Sequence, residues 1–94
     1  MDIADDDIFE RTDSVLHADL DDAIAMMNIE TGEYYNLNPA GSRIWTLLET
    51  PMSLRAICEA LVAEFDVSIE DCRTQTAAFL NDLLRLTMVR RAVH

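Results

Sequence analysis

The stretch from Ile29 to Leu48 limits the possible folds of this chain more than any other part of the sequence. It begins with a reversal at Glu30-Thr31-Gly32, where glycine can supply the positive φ of a tight hairpin. The strand-forming residues Tyr34–Leu37 follow, and Asn38-Pro39 combines a good N-cap with a proline at the first helical position. A hairpin strand that leads directly into a capped helix predicts the corner of a small α+β domain.

Two further strands are predicted before this corner. Ser14–Asp19 is predicted to be a short strand, and a turn over Asp19–Asp22 leads to a second strand over Ala23–Ile29. Side chains of the second strand alternate between a face with Ala23, Ala25, Met27 and Ile29 and a face with Ile24, Met26 and Asn28. Alanine and methionine also favour a helix here, but the glycine reversal and the aromatic strand after it favour a hairpin. The sequence therefore predicts a three-stranded antiparallel sheet.

Three helices are predicted after the sheet. The first runs from Pro39 to about Glu49 and ends before a second proline. The second lies within Ser53–Phe65 and has its first serine as the cap. The third begins after the cap residue Ser68 and runs to about Leu86. Three strands followed by three helices predict an α+β fold of the winged helix-turn-helix type.

Ninety-four residues, half of them hydrophobic, fit one domain with a modest core. Residues 1–13 are acidic and poor in apolar side chains, so they are predicted to be a flexible N-terminus before a folded domain over residues 14–90. Thr87–Val93 is predicted to be a basic tail. The apolar runs are far shorter than the roughly 18 residues of a membrane span, and the chain opens with acids instead of a signal peptide. We therefore expect a cytoplasmic protein without a membrane partner.

No set of residues in the sequence matches a catalytic or metal-binding pattern. Cys58 and Cys72 fall in helical patterns and are predicted to be small core residues. The two histidines, His17 and His94, lie far apart in the sequence, and the acidic runs lack the alternating ligands and turn glycine of a calcium loop. The chain has only two glycines, too few for a glycine-rich phosphate loop. We expect no enzyme activity, no catalytic residue, no cofactor and no metal ion.

The formal net charge is −11, from seven arginines and 18 acidic residues. Such a charge repels nucleic acid, and the polar residues of the third helix balance acids against arginines instead of forming a basic surface. A winged-helix module that binds DNA or another protein is therefore the alternative, not the preferred, interpretation. The acids concentrate in residues 1–25, which favours a basic partner, although solubility alone would also explain them.

The third predicted strand is the best candidate for a functional surface. A three-stranded sheet has open edges, and Glu33–Asn38 is short, aromatic and free of lysine. An extended peptide could join this edge as a fourth strand, with main-chain hydrogen bonds for affinity and neighbouring pockets for specificity. The residues alone equally allow a structural role, in which Tyr34 and Tyr35 pack on opposite faces of the sheet.

The central run resembles the hallmark of PqqD-like proteins. It reads ETGEYYNLNPAGSRIW from Glu30 to Trp45, and Leu47-Leu48, the helix within Ser53–Phe65 and Ala78-Phe79-Leu80 extend the match to residues 14–90. The resemblance implies three strands and three helices in an element that recognises ribosomally synthesised, post-translationally modified peptides (RiPPs). Such a domain binds the leader peptide of a precursor on its third strand, against its third helix, and delivers it to a maturation enzyme.

A free-standing domain of this kind resembles proteins from two settings. One is lasso-peptide biosynthesis, which the run Tyr34–Asn38 favours, and its partner would be a leader-cleaving cysteine protease. The other is the biosynthesis of pyrroloquinoline quinone, in which a PqqD-type chaperone serves a radical enzyme. The resemblance leaves open the leader sequence, its direction along the strand, and whether the domain forms a homodimer through the same edge.

The resemblance also implies the peptide-binding positions. The third strand contributes its edge and side chains: Glu33, Tyr34, Tyr35, Asn36 and Leu37. One flank of the third helix is expected beside it: Arg73, Thr76, Ala77, Leu80 and Leu84. The opposite flank is the alternative: Gln75, Asp82 and Leu86. Phe79 and Leu83 are expected to be more central to the core. The family often ends this helix with a Gly-Leu-Val-like turn, whereas this chain has Leu86-Thr87-Met88-Val89 and lacks the glycine.

Overall fold

A computed structural model describes residues 3–21 and 23–92 of the chain. Its strands are β1 (Ile8–Arg11), β2 (Val15–Leu20), β3 (Ala23–Asn28), β4 (Tyr34–Leu37), β5 (Met52–Ser53) and β6 (Val89–Arg91). Its helices are α1 (Pro39–Leu47), α2 (Leu54–Glu64) and α3 (Ile69–Arg85). Four parts of the predictions lie outside the described residues: residues 1–2 of the N-terminal segment, Asp22 of the predicted turn, Val93 of the basic tail and His94.

The sheet of β2, β3 and β4 confirms the three predicted strands to within one residue at each end. It is antiparallel, with the strand order β2-β3-β4. The predicted alternation of β3 is also confirmed, because Ile24, Met26 and Asn28 are buried while the residues between them are half-buried on the other face. Gly32 has a φ of +78° in the loop from β3 to β4, which is the conformation that favours glycine.

The helices begin where their predicted caps place them. The side chain of Asn38 accepts a hydrogen bond from the amide of Gly41 at 2.7 Å, and Ser53 and Ser68 cap α2 and α3 in the same way. A Cβ at Gly41 would lie 3.2 Å from Asn38 Oδ1 and 3.4 Å from Phe79 Cζ, so this glycine allows side chains to approach the first turn of α1. The α+β fold with three helices behind a three-stranded sheet is therefore confirmed. Within the described residues, no helix is both long and apolar enough to cross a membrane.

A second sheet, β5-β1-β6, was missed by the sequence-based prediction. β1 lies inside the segment for which flexibility was predicted, yet it pairs with β5 on one side and with β6 on the other. Phe9 of β1 is completely buried, and Met88, directly before β6, and Val89, its first residue, are also buried. β6 also adds a strand to the predicted basic tail. The pairing joins residues more than 40 positions apart, which no local pattern reveals.

Ion pairs connect the acidic N-terminal segment with arginines from the rest of the chain. Asp5 pairs with Arg73 at 2.8 Å and Asp6 pairs with Arg55 at 2.7 Å. In the small sheet, Glu10 pairs with Arg90 at 2.9 Å. These side chains are partly exposed, so each pair contributes little to stability. Their consequence is electrostatic, because they neutralise the charge of the N-terminal acids locally.

Trp45 of α1 links the two sheets. Its ring is buried, and the guanidinium of Arg11 in β1 lies 4.4 Å from the ring centroid and donates a hydrogen bond to the Trp45 carbonyl. The indole Nε1 donates to His17 Nδ1 of β2 at 3.2 Å. Burial lowers the pKa of Arg11, and the nearby charge of Glu49 partly opposes this shift. Trp45 thus contacts a strand of each sheet and connects the two.

The end of α3 shows what replaces the glycine expected from the family. The amide of Met88 donates to the Leu83 carbonyl at 2.9 Å and that of Thr87 to Leu84 at 3.1 Å, which is the usual left-handed ending of a helix. Thr87 takes the left-handed position with a φ of +60°. A β-branched residue is strained in this conformation. The helix therefore ends with the same hydrogen bonds that a glycine at this position would allow, and the strained threonine lowers the stability of the fold.

We predict that Thr87→Gly raises the free energy of unfolding by about 1 kcal/mol, because glycine carries no Cβ penalty at positive φ. Urea unfolding followed by circular dichroism measures the change. Thr74→Gly is the matched control, since Thr74 is a solvent-exposed residue away from the ends of α3. This variant should lower the free energy of unfolding by about 0.3 kcal/mol. A Thr87→Gly protein that is less stable than the parent protein would contradict the strained turn.

Candidate functional site

β4 is an edge strand, hydrogen-bonded to β3 on one side only. The amide of Asn28 donates to the carbonyl of Glu33 at 2.9 Å, so these two opposite residues form a hydrogen-bonded pair at the hairpin end. Bonded and non-bonded pairs alternate along an antiparallel ladder. In the observed register, the main-chain groups of Tyr35 and Leu37 therefore face β3.

The other end of β4 is consistent with this alternation. The amide of Ile24 in β3 donates to Ser42 Oγ at 3.0 Å, and this hydroxyl in turn lies 3.4 Å from the Leu37 carbonyl, to which it donates. The serine thus bridges the last pair of the ladder. It follows that the amide and carbonyl groups of Tyr34 and Asn36 point away from β3, toward the open edge.

The side chains of β4 divide between the two faces of the sheet. Tyr34 is 75% exposed and Asn36 is also exposed, whereas Tyr35 is half-buried and Leu37 is buried. The opposite placement of the two tyrosines is therefore confirmed. The ring of Tyr35 meets the ring of Phe79 in α3 edge-on, with centroids 6.0 Å apart and an interplanar angle of 67°. β4 thus has an open edge with a helix beside its inner face.

The contact with Phe79 identifies the flank of α3 that lies toward β4. Gln75 precedes Phe79 by four residues, and Asp82 and Leu86 follow it by three and seven residues. At these spacings all three lie on the same side of the helix as Phe79. This is the flank that the sequence left as the alternative. Phe79 itself, predicted to be more central to the core, is half-buried and contacts the strand directly.

The flank preferred from the sequence is placed differently. Arg73 binds Asp5 of the N-terminal segment, and Ala77 and Leu84 lie on the same side of α3 as Arg73 at helical spacing. Thr76 and Leu80 are buried. Leu80 shares the core cluster with Leu37 of β4, and Thr76 lines the same cleft as Gln75 and Phe79. Their part in peptide binding stays a prediction.

A mostly apolar cleft of about 210 Å³ lies next to the end of β4. It is formed by the start of α1, the end of α2 and the first half of α3, and its lining includes Asn38, Phe65, Gln75 and Phe79. Phe79, which contacts Tyr35 of β4, is one of the lining residues, and the cleft is large enough for an apolar side chain.

Asn28 positions β4, and its role was not predicted from the sequence. Its buried amide nitrogen donates to the carbonyl of Leu86 at 3.0 Å, and its side-chain oxygen accepts from the amides of Glu30 and Thr31. The hairpin loop is thereby tied to the end of α3. An asparagine on the buried face of β3, directly before a hairpin, was the available indication.

The cysteines do not form a reactive site. Cys58 and Cys72 are both buried in the core, as predicted. Burial raises the pKa of the Cys58 thiol, so this group is protonated at neutral pH and is a poor nucleophile. Among residues 3–21 and 23–92, no group of three or more histidine, cysteine, aspartate and glutamate side chains is arranged to hold a metal ion.

Comparison with protein families matches residues 23–89 to the model described as coenzyme PQQ synthesis protein D (PqqD). The chain belongs to the PqqD family. This membership confirms the resemblance found in the sequence around Glu30–Trp45. A search of curated proteins found no match.

Two solved structures share the fold. One is TbiB1 in complex with the TbiA(beta) leader peptide, with 29% sequence identity and a TM-score of 0.82 over 90% of this chain and 99% of the TbiB1 chain. The other is lasso peptide synthetase B1 complexed with the leader peptide, with 24% identity and a TM-score of 0.73 over 87% of this chain and 96% of that one. The second likeness shows the fold alone.

Proposed function

We propose that this protein binds the leader peptide of a ribosomally synthesised precursor as a strand added to β4, as a RiPP recognition element of lasso-peptide biosynthesis. The observation that carries the proposal is the open edge of β4 beside α3, in a chain whose fold matches TbiB1 bound to a leader peptide. Binding at such an edge needs no catalytic group on this protein.

The edge offers hydrogen-bonding groups in the pattern that an added strand requires. Tyr34 and Asn36 each present one amide and one carbonyl outward, at the spacing of alternate residues in a strand. These groups are exposed to water in the free protein, so an incoming strand replaces hydrogen bonds to water instead of breaking bonds of the sheet. Main-chain bonds supply affinity that depends little on the leader sequence, and side-chain contacts supply the specificity.

We assign the wall of the groove to the flank of α3 that includes Gln75, Asp82 and Leu86. Support comes from Phe79, which shares this flank and contacts Tyr35 of the strand. Arg73 on the other side of the helix is held by Asp5. The side chains of the leader that point inward would meet Tyr35, Phe79 and the apolar cleft beyond them.

The second half of the proposed function is delivery. The protein is a non-catalytic adaptor that presents the bound leader to a maturation enzyme, a leader-cleaving cysteine protease. The buried Cys58, whose pKa is raised by burial, supports an adaptor without thiol chemistry of its own. A PqqD-type chaperone in pyrroloquinoline quinone biosynthesis is the second candidate, because the family model carries that description. The similarity to TbiB1 bound to a leader peptide supports peptide recognition, and the run Tyr34–Asn38 favours the lasso-peptide setting.

DNA binding by the winged-helix fold is disfavoured by charge. The exposed residues Glu70 and Asp71 lie in the first turn of α3, and Arg73 and Arg85 of this helix are paired with acids. A net charge of −11 adds a long-range repulsion from phosphates. We therefore propose that nucleic acid is not a partner.

We predict that Asn36→Pro weakens binding of the precursor leader about tenfold, because proline removes an outward amide that the added strand needs. Asn36→Ala keeps the amide and should change the affinity by no more than about twofold. Isothermal titration of the leader encoded beside this gene measures both variants. Since the amide does not serve the ladder with β3, Asn36→Pro should keep the circular dichroism of the parent protein. Equal affinities of the two variants would exclude strand addition at this position.

We predict that Gln75→Trp reduces leader affinity about tenfold, because a large side chain on the proposed wall narrows the groove. Arg73→Trp introduces the same bulk on the opposite flank and should leave the affinity within about twofold. Both positions are exposed, so both variants should fold. The reverse order of affinities would assign the groove to the Arg73 flank.

A further inference from the structure

The sheet of β2, β3 and β4 has a second face, turned away from the helices, whose composition is unusual. In the observed register, Leu16, Met27 and Tyr34 form one row across the three strands on this outer face. The next row consists of two alanines and Asn36, and Leu20 stands opposite a third alanine. Antiparallel sheets with one solvated face normally carry polar residues on it. This face carries mostly apolar ones.

The large side chains of the outer face are open to solvent. Leu16 is 58% exposed, Leu20 is 57% exposed and Tyr34 is 75% exposed, and Ile29, just beyond β3, is 54% exposed. These four are most of the large apolar side chains that the structure exposes. Their concentration on one face is typical of a protein-interaction site. The face is distinct from the leader groove, which lies along the edge of β4 and on the helix side of the sheet.

Charge indicates what kind of surface fits there. Residues 12–42 contain six acids and no arginine. The exposed acids Asp13, Asp21, Glu30 and Glu33 lie at the ends of the strands, and none has an ion pair among the described residues. The arginines are engaged elsewhere, six in ion pairs and Arg11 with Trp45. The apolar face is thus bordered by negative charge that the chain itself does not neutralise.

This border selects among the possible occupants. A second copy of the chain would bring the same acids against each other, which costs affinity. An anionic membrane surface would be repelled in the same way. A protein surface with an apolar centre and a border of lysine and arginine satisfies both features.

We infer that the outer face is the docking surface for the maturation enzyme, through an apolar patch on that enzyme bordered by lysine and arginine. The inference rests on the proposed function, because that function supplies the enzyme as a partner. Leader and enzyme would then occupy different faces of one sheet, with Tyr34 between them. The leader is thereby held at a defined distance from the enzyme that processes it.

The test compares two affinities of the same variants. Leu16→Thr/Leu20→Thr removes the apolar side chains and keeps β-branched residues suited to a strand. With the leader peptide and the purified leader-cleaving enzyme encoded beside this gene as probes, we expect enzyme affinity to fall about tenfold and leader affinity to stay within about twofold. Ile69→Thr, an exposed apolar residue at the start of α3, is the matched control and should change neither. If the double variant loses leader binding through misfolding, Leu20→Thr alone takes its place.

A second arm tests the charged border. Asp21→Asn/Glu30→Gln should slow association with the enzyme and reduce its dependence on salt, while leader binding remains. Unchanged enzyme affinity in the leucine variants would overturn the inference, and so would a parent protein that binds the leader but not the enzyme. A dimer of the parent protein that the leucine variants dissociate would assign the face to a second copy instead. A parent protein that binds no leader would refute the proposed function itself.

Discussion

The orientation of β4 relative to α3 depends on the buried side chain of Asn28. Its amide group joins the hairpin loop to the last carbonyls of α3, and its main chain closes the β3–β4 ladder. A buried amide that loses its partners costs about 1–3 kcal/mol, so the arrangement in which all are satisfied is strongly preferred. The Tyr35–Phe79 contact holds the middle of the strand against the same helix. Together they keep the edge of β4 open beside a fixed wall.

The distribution of charge separates the molecule into two parts. At the termini, acids of the N-terminal segment meet arginines of α2, α3 and β6, so that part is locally neutral. In residues 12–42, which contain the sheet of β2, β3 and β4, all charged residues are acidic. Residues 12–42 thus carry −6 of the net charge of −11, and this charge can attract a basic partner and repel nucleic acid.

Local features of the fold were predictable from the sequence because they depend on neighbouring residues. Gly32 in its loop and the caps Asn38, Ser53 and Ser68 all function as their residue types predict. The small sheet was not predictable, since β1 is charged and its partners are distant in sequence. The apolar pair Ile8-Phe9 was the available indication that this segment packs, and Phe9 is buried.

For the proposed site, the strand was predictable from the sequence, but the side of α3 that contacts this strand was not. The aromatic edge of β4 follows from its sequence and from the family resemblance. The side of α3 that faces β4 depends on the rotation of the helix about its own axis. Because α3 has apolar residues on both flanks, its sequence allows two rotations. Packing of Phe79 on Tyr35 and the ion pair of Arg73 with Asp5 decide the rotation, and both involve distant residues.

Amide hydrogen exchange of β4, followed by NMR with and without the precursor leader, tests strand addition most directly. The amides of Tyr34 and Asn36 point to the open edge, so we expect fast exchange in the free protein and strong protection once the leader is bound. The amides of Tyr35 and Leu37 face β3 and should be protected in both states. A leader that binds without slowing exchange at Asn36, or that protects another part of the surface instead, would contradict strand addition at β4.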